Sequence, residues 1–486
     1  MKNIFKFINV LIVVLLLTSC EEFLDVNVDP NNPTTVTPDL VLPTGQKYSA
    51  ELMQNSRRIN HLGNMLMYNW SQSDGFAWYP DEFKYNVTSS FYQSIFNDSY
   101  PGALKQYQIL SQLESGRNDN YIAIGMIMKA YHFQLLVDMY GDVPYSEALL
   151  RKENATPVYD DAATIYADLV VQLTAAIDII KNVESALEPG DDDTMFGGVM
   201  EDWIRFANTV KLRILVRVAD VKDVTADIAA ITAEGTGFIT DDVLINPGYL
   251  IEEGKQNPLW NSFGADAGGT LTLTSKATCA TDYMITYLQG TNDDRISFIY
   301  EEPATGHLGV MQGLLDYDTP VPDAFMPALV SNIGPGILKD GQMGAAMFTL
   351  AESYFNQAEA ALEGFTADDA QTLYESGIQA SFDYLGAGDA STYYGQAVTN
   401  VGWAASADKL EAIITQKWLA VNGINAEQSW FDYNRTGFPS GLPISDLATT
   451  TDRPVRLFYP AGELSANGAN VPFQPNAFTA KVFWGN

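Results

Sequence analysis

The segment Asp161-Ala162-Ala163-Thr164-Ile165-Tyr166 returns far downstream as Asp369-Ala370-Gln371-Thr372-Leu373-Tyr374, and a helical apolar stripe continues after both copies. In each copy a four-residue step places Ala and Tyr on one helical face, where the small residue admits a neighbouring helix. A chain that repeats this device must bury helix against helix, which predicts a mainly α fold. Two other stretches agree. Tyr121 to Tyr140 carries Ile122, Ile124, Met126, Ile127, Met128, Phe133, Leu135 and Leu136; Trp203 to Val218 carries Ile204, Phe206, Val210, Leu212, Ile214 and Leu215. Both also carry polar faces, so they read as core helices rather than membrane spans.

The Ala-x-x-x-Tyr spacing is that of the second helix of a tetratricopeptide hairpin. No fixed period of about 34 residues runs through the chain, so interrupted hairpins are expected rather than a regular solenoid. Candidate pairs are 98–117 with 119–139, 160–187 with 201–220, 343–363 with 367–385, and 406–421 with 426–435. From Glu234 to Gly341 the pattern gives way to Gly, Pro, Asp and Thr, predicting a loop-rich insertion with a few short strands.

Ahead of this body, Lys2 and Lys6 precede the apolar run Ile8 to Leu17. A run of this length falls short of the roughly 20 residues that span a bilayer. The layout is that of a secretory signal peptide, and Leu17-Thr18-Ser19-Cys20 resembles the lipobox of bacterial lipoproteins, whose cysteine becomes the lipidated first residue. Residues 1–19 therefore read as signal, Cys20 as the lipidation site, 20–38 as a flexible polar tether and 39–486 as one helical domain. The acidic start Glu21-Glu22 resembles the export signal of Bacteroidetes surface lipoproteins. Asp25 to Asp29 begins like an EF-hand loop, but Pro30 stands where that loop needs Gly and Val36 where it needs Glu.

The chain of 486 residues has 60 acidic against 27 basic side chains; its formal charge of −33 becomes −35 once Lys2 and Lys6 leave with the signal. Nucleic-acid binding depends on Lys and Arg neutralising phosphate, so this field argues against polyanionic partners and for neutral ligands. Hydrophobic residues make up 47%, enough for one large core or two. Cys20 and Cys279 are the only cysteines, so lipidation of the first leaves no disulfide to hold the body.

An ordered set of short motifs spans nearly the whole chain: Asn27-Val28-Asp29-Pro30-Asn31-Asn32-Pro33-Thr34, Tyr140-Gly141-Asp142-Val143-Pro144-Tyr145, Trp203-Ile204-Arg205-Phe206-Ala207-Asn208, Arg213-Ile214, the run Ala351 to Ala360, Gln416-Lys417-Trp418-Leu419-Ala420 and the run Trp430 to Gly437. Together with the lipobox this set resembles the SusD/RagB-type nutrient-binding lipoproteins of Bacteroidetes. The resemblance implies a tetratricopeptide-like scaffold with long loops. It also implies a lid that captures oligo- or polysaccharide at the cell surface and delivers it to a SusC-like TonB-dependent transporter in the outer membrane, without catalysis or cofactor. Oligopeptide capture by such a lid is the alternative, and a protein that only caps the barrel is a third reading. Most of the motifs read as scaffold. Gly141 and Pro144 end a helix, Glu352 and Glu359 sit seven apart as a polar seam, and Trp418 and Trp430 anchor the last hairpin.

Ligand contacts are expected in the loops. Trp70 to Tyr85 interleaves aromatic rings with carboxylates, an amide and a turn former, the mixture that sugar recognition wants. The C–H face of a pyranose lies on a flat ring while Asp, Asn and Gln pair with its hydroxyls. The resemblance implies a sugar-stacking tryptophan in this early loop, matched by Trp78 or Tyr79, with Phe76 and Asp81 beside them. In the insertion, Trp260 and Asn261 form a second candidate, followed by Tyr283, Tyr300 and Tyr317. Catalysis finds little support. His61, His132 and His307 are the only histidines, and no metalloprotease, nucleophile-elbow, P-loop or dinucleotide signature is present. A glycosidase needs only two carboxylates at a set separation, but loop aromatics on a helical scaffold fit capture better. No motif supports a metal; Asp191 to Asp193 and Asp293-Asp294 are examples of places considered for a structural calcium.

Overall fold

The computed structural model describes residues 37–150, 153–315 and 323–485. The signal, Cys20 and the tether up to residue 36 lie outside them, as does Tyr317, while Pro38, expected in the tether, already belongs to a helix. The first helix, α1 (Pro38–Gln54), opens with proline in its first turn, where the missing N–H costs nothing. Then follow α2 (Ile59–Leu66), strand β1 (Trp70–Gln72), α3 (Lys105–Ser111), α4 (Asp119–Tyr140), α5 (Ala162–Asn182) and α6 (Met200–Val218). The insertion holds β2 (Val243–Ile245), α7 (Pro258–Phe263) and β3 (Thr278–Ala280). After β4 (Ala345–Phe348), the chain closes with α8 (Leu350–Leu362), α9 (Ala370–Leu385), α10 (Lys409–Val421) and α11 (Glu427–Thr436). The described chain is thus mainly helical, with β1 and β3 antiparallel in one ladder and β2 and β4 in another.

The echoed hexapeptides are helix starts. Asp161 accepts from the backbone N–H of Thr164 at 2.8 Å and from its hydroxyl at 2.9 Å; Asp369 does the same for Thr372 at 2.8 and 2.7 Å. Such side-chain caps satisfy donors that a helix N-terminus leaves orphaned. Each copy then buries its tyrosine, Tyr166 or Tyr374. The expected pairing of α5 with α6 is present, and a further one joins it. Helix α5 packs on α4 as well as on α6, and α9 packs on α8. Both echoes therefore occupy the second helix of a hairpin, a position hidden in the sequence by the long 141–161 connection. In that connection Gly141 turns at φ 76° and Asp142 accepts from the Ala162 N–H at 2.9 Å, joining the end of α4 to the start of α5.

The seam expected of Glu352 and Glu359 is an ionic layer between hairpins. Arg213 on α6 meets Glu352 at 3.2 Å, and Arg435 on α11 meets Glu359 at 2.6 Å. Between them, Arg217 meets Asp138 at 2.5 Å and Lys417 meets Asp432 at 2.8 Å. Asp138 also accepts from Tyr166 and from the Trp484 indole. Thus the motif residues of α4, α6, α8, α10 and α11 converge on one buried network. Burying such charges is tolerable only because each has an opposite partner.

Glu427 is the exception. It is buried beside Glu352, and burial first, then that neighbouring carboxylate, pushes its own carboxyl up to about 7. A carboxyl raised in the folded state stabilises fully below its unfolded value and loses that contribution as pH rises through the folded value. Replacing it, Glu427→Gln, is therefore expected to raise stability at about pH 8 by up to about 3 kcal/mol and to change little at about pH 4. Urea unfolding at the two pH values checks this.

Candidate functional site

The aromatic segment after β1 is anchored from below. Ser71 pairs with Cys279 and Gln72 with Thr278, while the Ser73 N–H donates to Ala277 O at 2.9 Å. This pairing decides which rings face out. The Tyr79 hydroxyl shares a 2.7 Å hydrogen bond with Thr278, and the ring is 1% exposed. Tyr79 is therefore a packing residue, which corrects the expectation that it matches the stacking ring: its surface is spent on the core. Phe76 and Trp78 remain partly exposed, edge to face with centroids 5.5 Å apart. The Gln72 amide ties this turn, accepting from the Trp78 N–H at 2.7 Å and donating to Phe76 O at 2.5 Å. Asp81 is exposed and accepts from Asn86 at 2.8 Å.

Trp260 is set by a different device. Asn257 caps α7, accepting from the N–H groups of Leu259 at 2.8 Å and Trp260 at 3.1 Å, and Pro258 begins the helix. Asn257 is thus a cap rather than a ligand amide. The half-buried Trp260 ring lies against Gly341, where an added Cβ would sit 3.2 Å from Trp260 Cδ1. Asn261 is exposed, with its amide free of protein hydrogen bonds among the described residues, and points into a cavity along α1.

The two segments meet over the short turn after α1. Ser56 N–H donates to Ser262 Oγ at 3.0 Å, and Arg57 Nη2 donates to Trp78 O at 2.8 Å. Arg57 adopts φ 56°, a conformation that costs an ordinary residue energy. His61 offsets that cost, its Nδ1 accepting from the Arg57 N–H at 2.8 Å. The bond leaves the proton on Nε2, among the rings of Tyr79, Phe263, Trp70 and Tyr92. Burial, with Arg57 nearby, pulls His61 down to about 3, so it stays neutral. His61 thus holds the undersides of both aromatic segments. Sequence reasoning passed over Arg57 and His61 because nothing local marks a left-handed arginine or its acceptor. Arg57→Ala is expected to free the Trp78 carbonyl and weaken ligand binding about three- to tenfold while leaving the melting temperature nearly unchanged. Parallel titration and thermal melts check it.

Tyr283 lies apart. It follows β3 at the end of the ladder away from Trp78 and packs on Tyr68, Tyr287 and Trp418. Tyr300 is buried, donating to Asn69 O at 2.8 Å. His132 is core, with Nε2 2.7 Å from the Ser49 hydroxyl. Asp193 and Asp293, two of the aspartates considered for calcium, have protein partners. Asp193 accepts from Gln46 at 2.7 Å and the Trp203 indole at 2.8 Å, and Asp293 pairs with Arg295 at 2.6 Å.

The described chain is thus a helical-hairpin scaffold on which anchored loops hold partly exposed aromatic side chains. The chain belongs to the SusD-like family, whose model, described as starch-binding and associating with the outer membrane, matches residues 30–460. Solved structures share the fold. A SusD homolog from Bacteroides vulgatus is 22% identical, with 92% of this chain and 97% of that one covered and a TM-score of 0.74. A chitin-binding SusD homolog from Flavobacterium johnsoniae is also 22% identical, with 91% and 98% covered and a TM-score of 0.74. A SusD homolog from Bacteroides uniformis is 23% identical, with 92% and 99% covered and a TM-score of 0.71. No curated protein matches the chain.

Proposed function

We propose that this protein captures a neutral oligo- or polysaccharide on the face carrying Trp78 and Trp260 and delivers it to a SusC-like TonB-dependent transporter. Lipid on Cys20 would hold it at the outer membrane, facing the exterior. The observation that carries the reading is the partly exposed Phe76–Trp78 pair, fixed through Arg57 and His61 beside the helix bearing Trp260. Rigid rings lose little entropy on binding, and a pyranose face needs no more than such a platform with amides nearby. The family's description as starch-binding supports a glycan over a peptide, and a chitin-binding structural neighbour points the same way. The charge of −33 favours a neutral glucan, mannan or chitin-like chain over a sulfated or uronic one.

Delivery is tested by affinity purification of the tagged, lipidated protein from mild-detergent extracts of its own outer membranes. The expected result is co-purification of a TonB-dependent barrel that is lost with Cys20→Ala, since an unanchored chain no longer dwells at the membrane. Recovery of the protein alone would contradict delivery.

A further inference from the structure

Along the exposed side of α1 runs a groove that the aromatic face does not use. Its larger lobe, about 340 Å³, lies between α1 and the 247–261 segment, with Asn55, Tyr249 and Asn261 on its walls. A second lobe of about 270 Å³ continues past Tyr48 and Arg58. Glu51 and Asn55 border both lobes, so the two form one track. Each lobe is near the lower end of cavities that hold small ligands, roughly 300–1,000 Å³.

The chemistry of the walls selects the ligand. Every cation on the track already faces a carboxylate: Lys47 meets Glu51 at 3.0 Å, Lys255 meets Glu252 at 2.6 Å and Arg58 meets Asp98 at 2.7 Å. The groove therefore has no unpaired charge to offer an anion or a cation. What it does offer is neutral hydrogen bonding. No hydrogen bond joins the side-chain amide of Asn55 or of Asn261 to another described residue, and Tyr249 lines the groove with its hydroxyl buried and unpartnered. A buried hydroxyl without a partner is costly, and a ligand hydroxyl can recover that cost after a small turn of the ring. Tyr48, 41% exposed, and Tyr249 add ring surface. Free amides, tyrosine rings and internally cancelled charge fit a neutral polyhydroxylated ring.

We infer that this groove is a second saccharide subsite, in which Asn55 and Asn261 pair with sugar hydroxyls and Tyr249 supplies ring contact and a further donor. The inference rests on the glycan-capture reading and extends it. Asn55 borders the groove and Arg57, two residues on, holds Trp78, so the subsite continues the aromatic face across a single turn. A chain that occupies both gains by linkage, because the second contact becomes intramolecular.

Crystals of the protein soaked in turn with glucose, mannose and N-acetylglucosamine test it. The expected result is a pyranose in the groove within hydrogen-bond distance of Asn55 and Asn261. Sugar at Trp78 with the groove empty in every soak would overturn the subsite and leave the capture reading standing. Sugar in the groove with none at Trp78 would support the subsite and move the capture face. Density at neither would overturn both. In solution, the double variant Asn55→Ala/Asn261→Ala removes two side chains that hold nothing in the fold. It should weaken binding of a retarding polysaccharide about three- to tenfold with an unchanged melting temperature; unchanged affinity would overturn the subsite.

Discussion

Asp432→Leu is expected to lower the stability of the fold by about 3–5 kcal/mol, the cost typical of breaking a buried ion pair from one side. Asp432 is 2% exposed. It meets Lys417 at 2.8 Å and lies 3.7 Å from both Arg217 and Arg435, three cations carried by α6, α10 and α11. Removing the carboxylate leaves these cations facing one another away from water, with only Asp138 and Glu359 to answer them. The pH dependence has a definite sign. Burial alone would push the Asp432 carboxyl up, but Lys417, Arg217 and Arg435 outweigh it and hold it below its usual range. A depressed carboxyl contributes stability above its unfolded value and loses it as pH falls through the folded one. The variant should therefore be weakest relative to the parent at neutral pH, and the gap should narrow in strong acid. Urea midpoints across pH check this; equal midpoints at neutral pH would show that the ionic layer does not hold the hairpins together.

Trp78→Ala is expected to cost tenfold or more in glycan affinity, with little change in stability. Burying a large apolar side chain against a partner is worth about 1.5–3 kcal/mol, and 1.4 kcal/mol is a factor of ten. Trp78 is the cleaner test of the two tryptophans. Both rings pack partly on the core, but the backbone of Trp78 is held by Gln72 and Arg57, whereas Trp260 also abuts Gly341. Isothermal titration beside a thermal melt separates lost contact from lost fold.

The scaffold was legible because its determinants are local. Apolar spacing marked α4 and α6, and the Asp–Thr caps made α5 and α9 echo one another. The seam was legible too, since Glu352 and Glu359 stand two turns apart on one helix with nothing else to do in a core. That α5 packs on α4 as well as on α6 was not, because the 141–161 connection is long enough to hide a hairpin. The site was half legible. That aromatics crowd the segment after Trp70 is plain in the sequence. That Trp78 faces out and Tyr79 in depends on the pairing of Gln72 with Thr278, a contact between distant parts of the chain. Tyr283 was drawn to the site by composition, and β3 carries it to the other end of the ladder. Asn261 belongs to a groove whose opposite wall is α1, which no local pattern reveals.

Glycan capture through Trp78 is tested by affinity electrophoresis of the chain lacking residues 1–20 through gels containing neutral or anionic polysaccharides. The expected result is retardation by a neutral glycan, none by sulfated or uronic chains, and loss of retardation in Trp78→Ala. Free migration in every gel, or retardation that Trp78→Ala leaves intact, would contradict it.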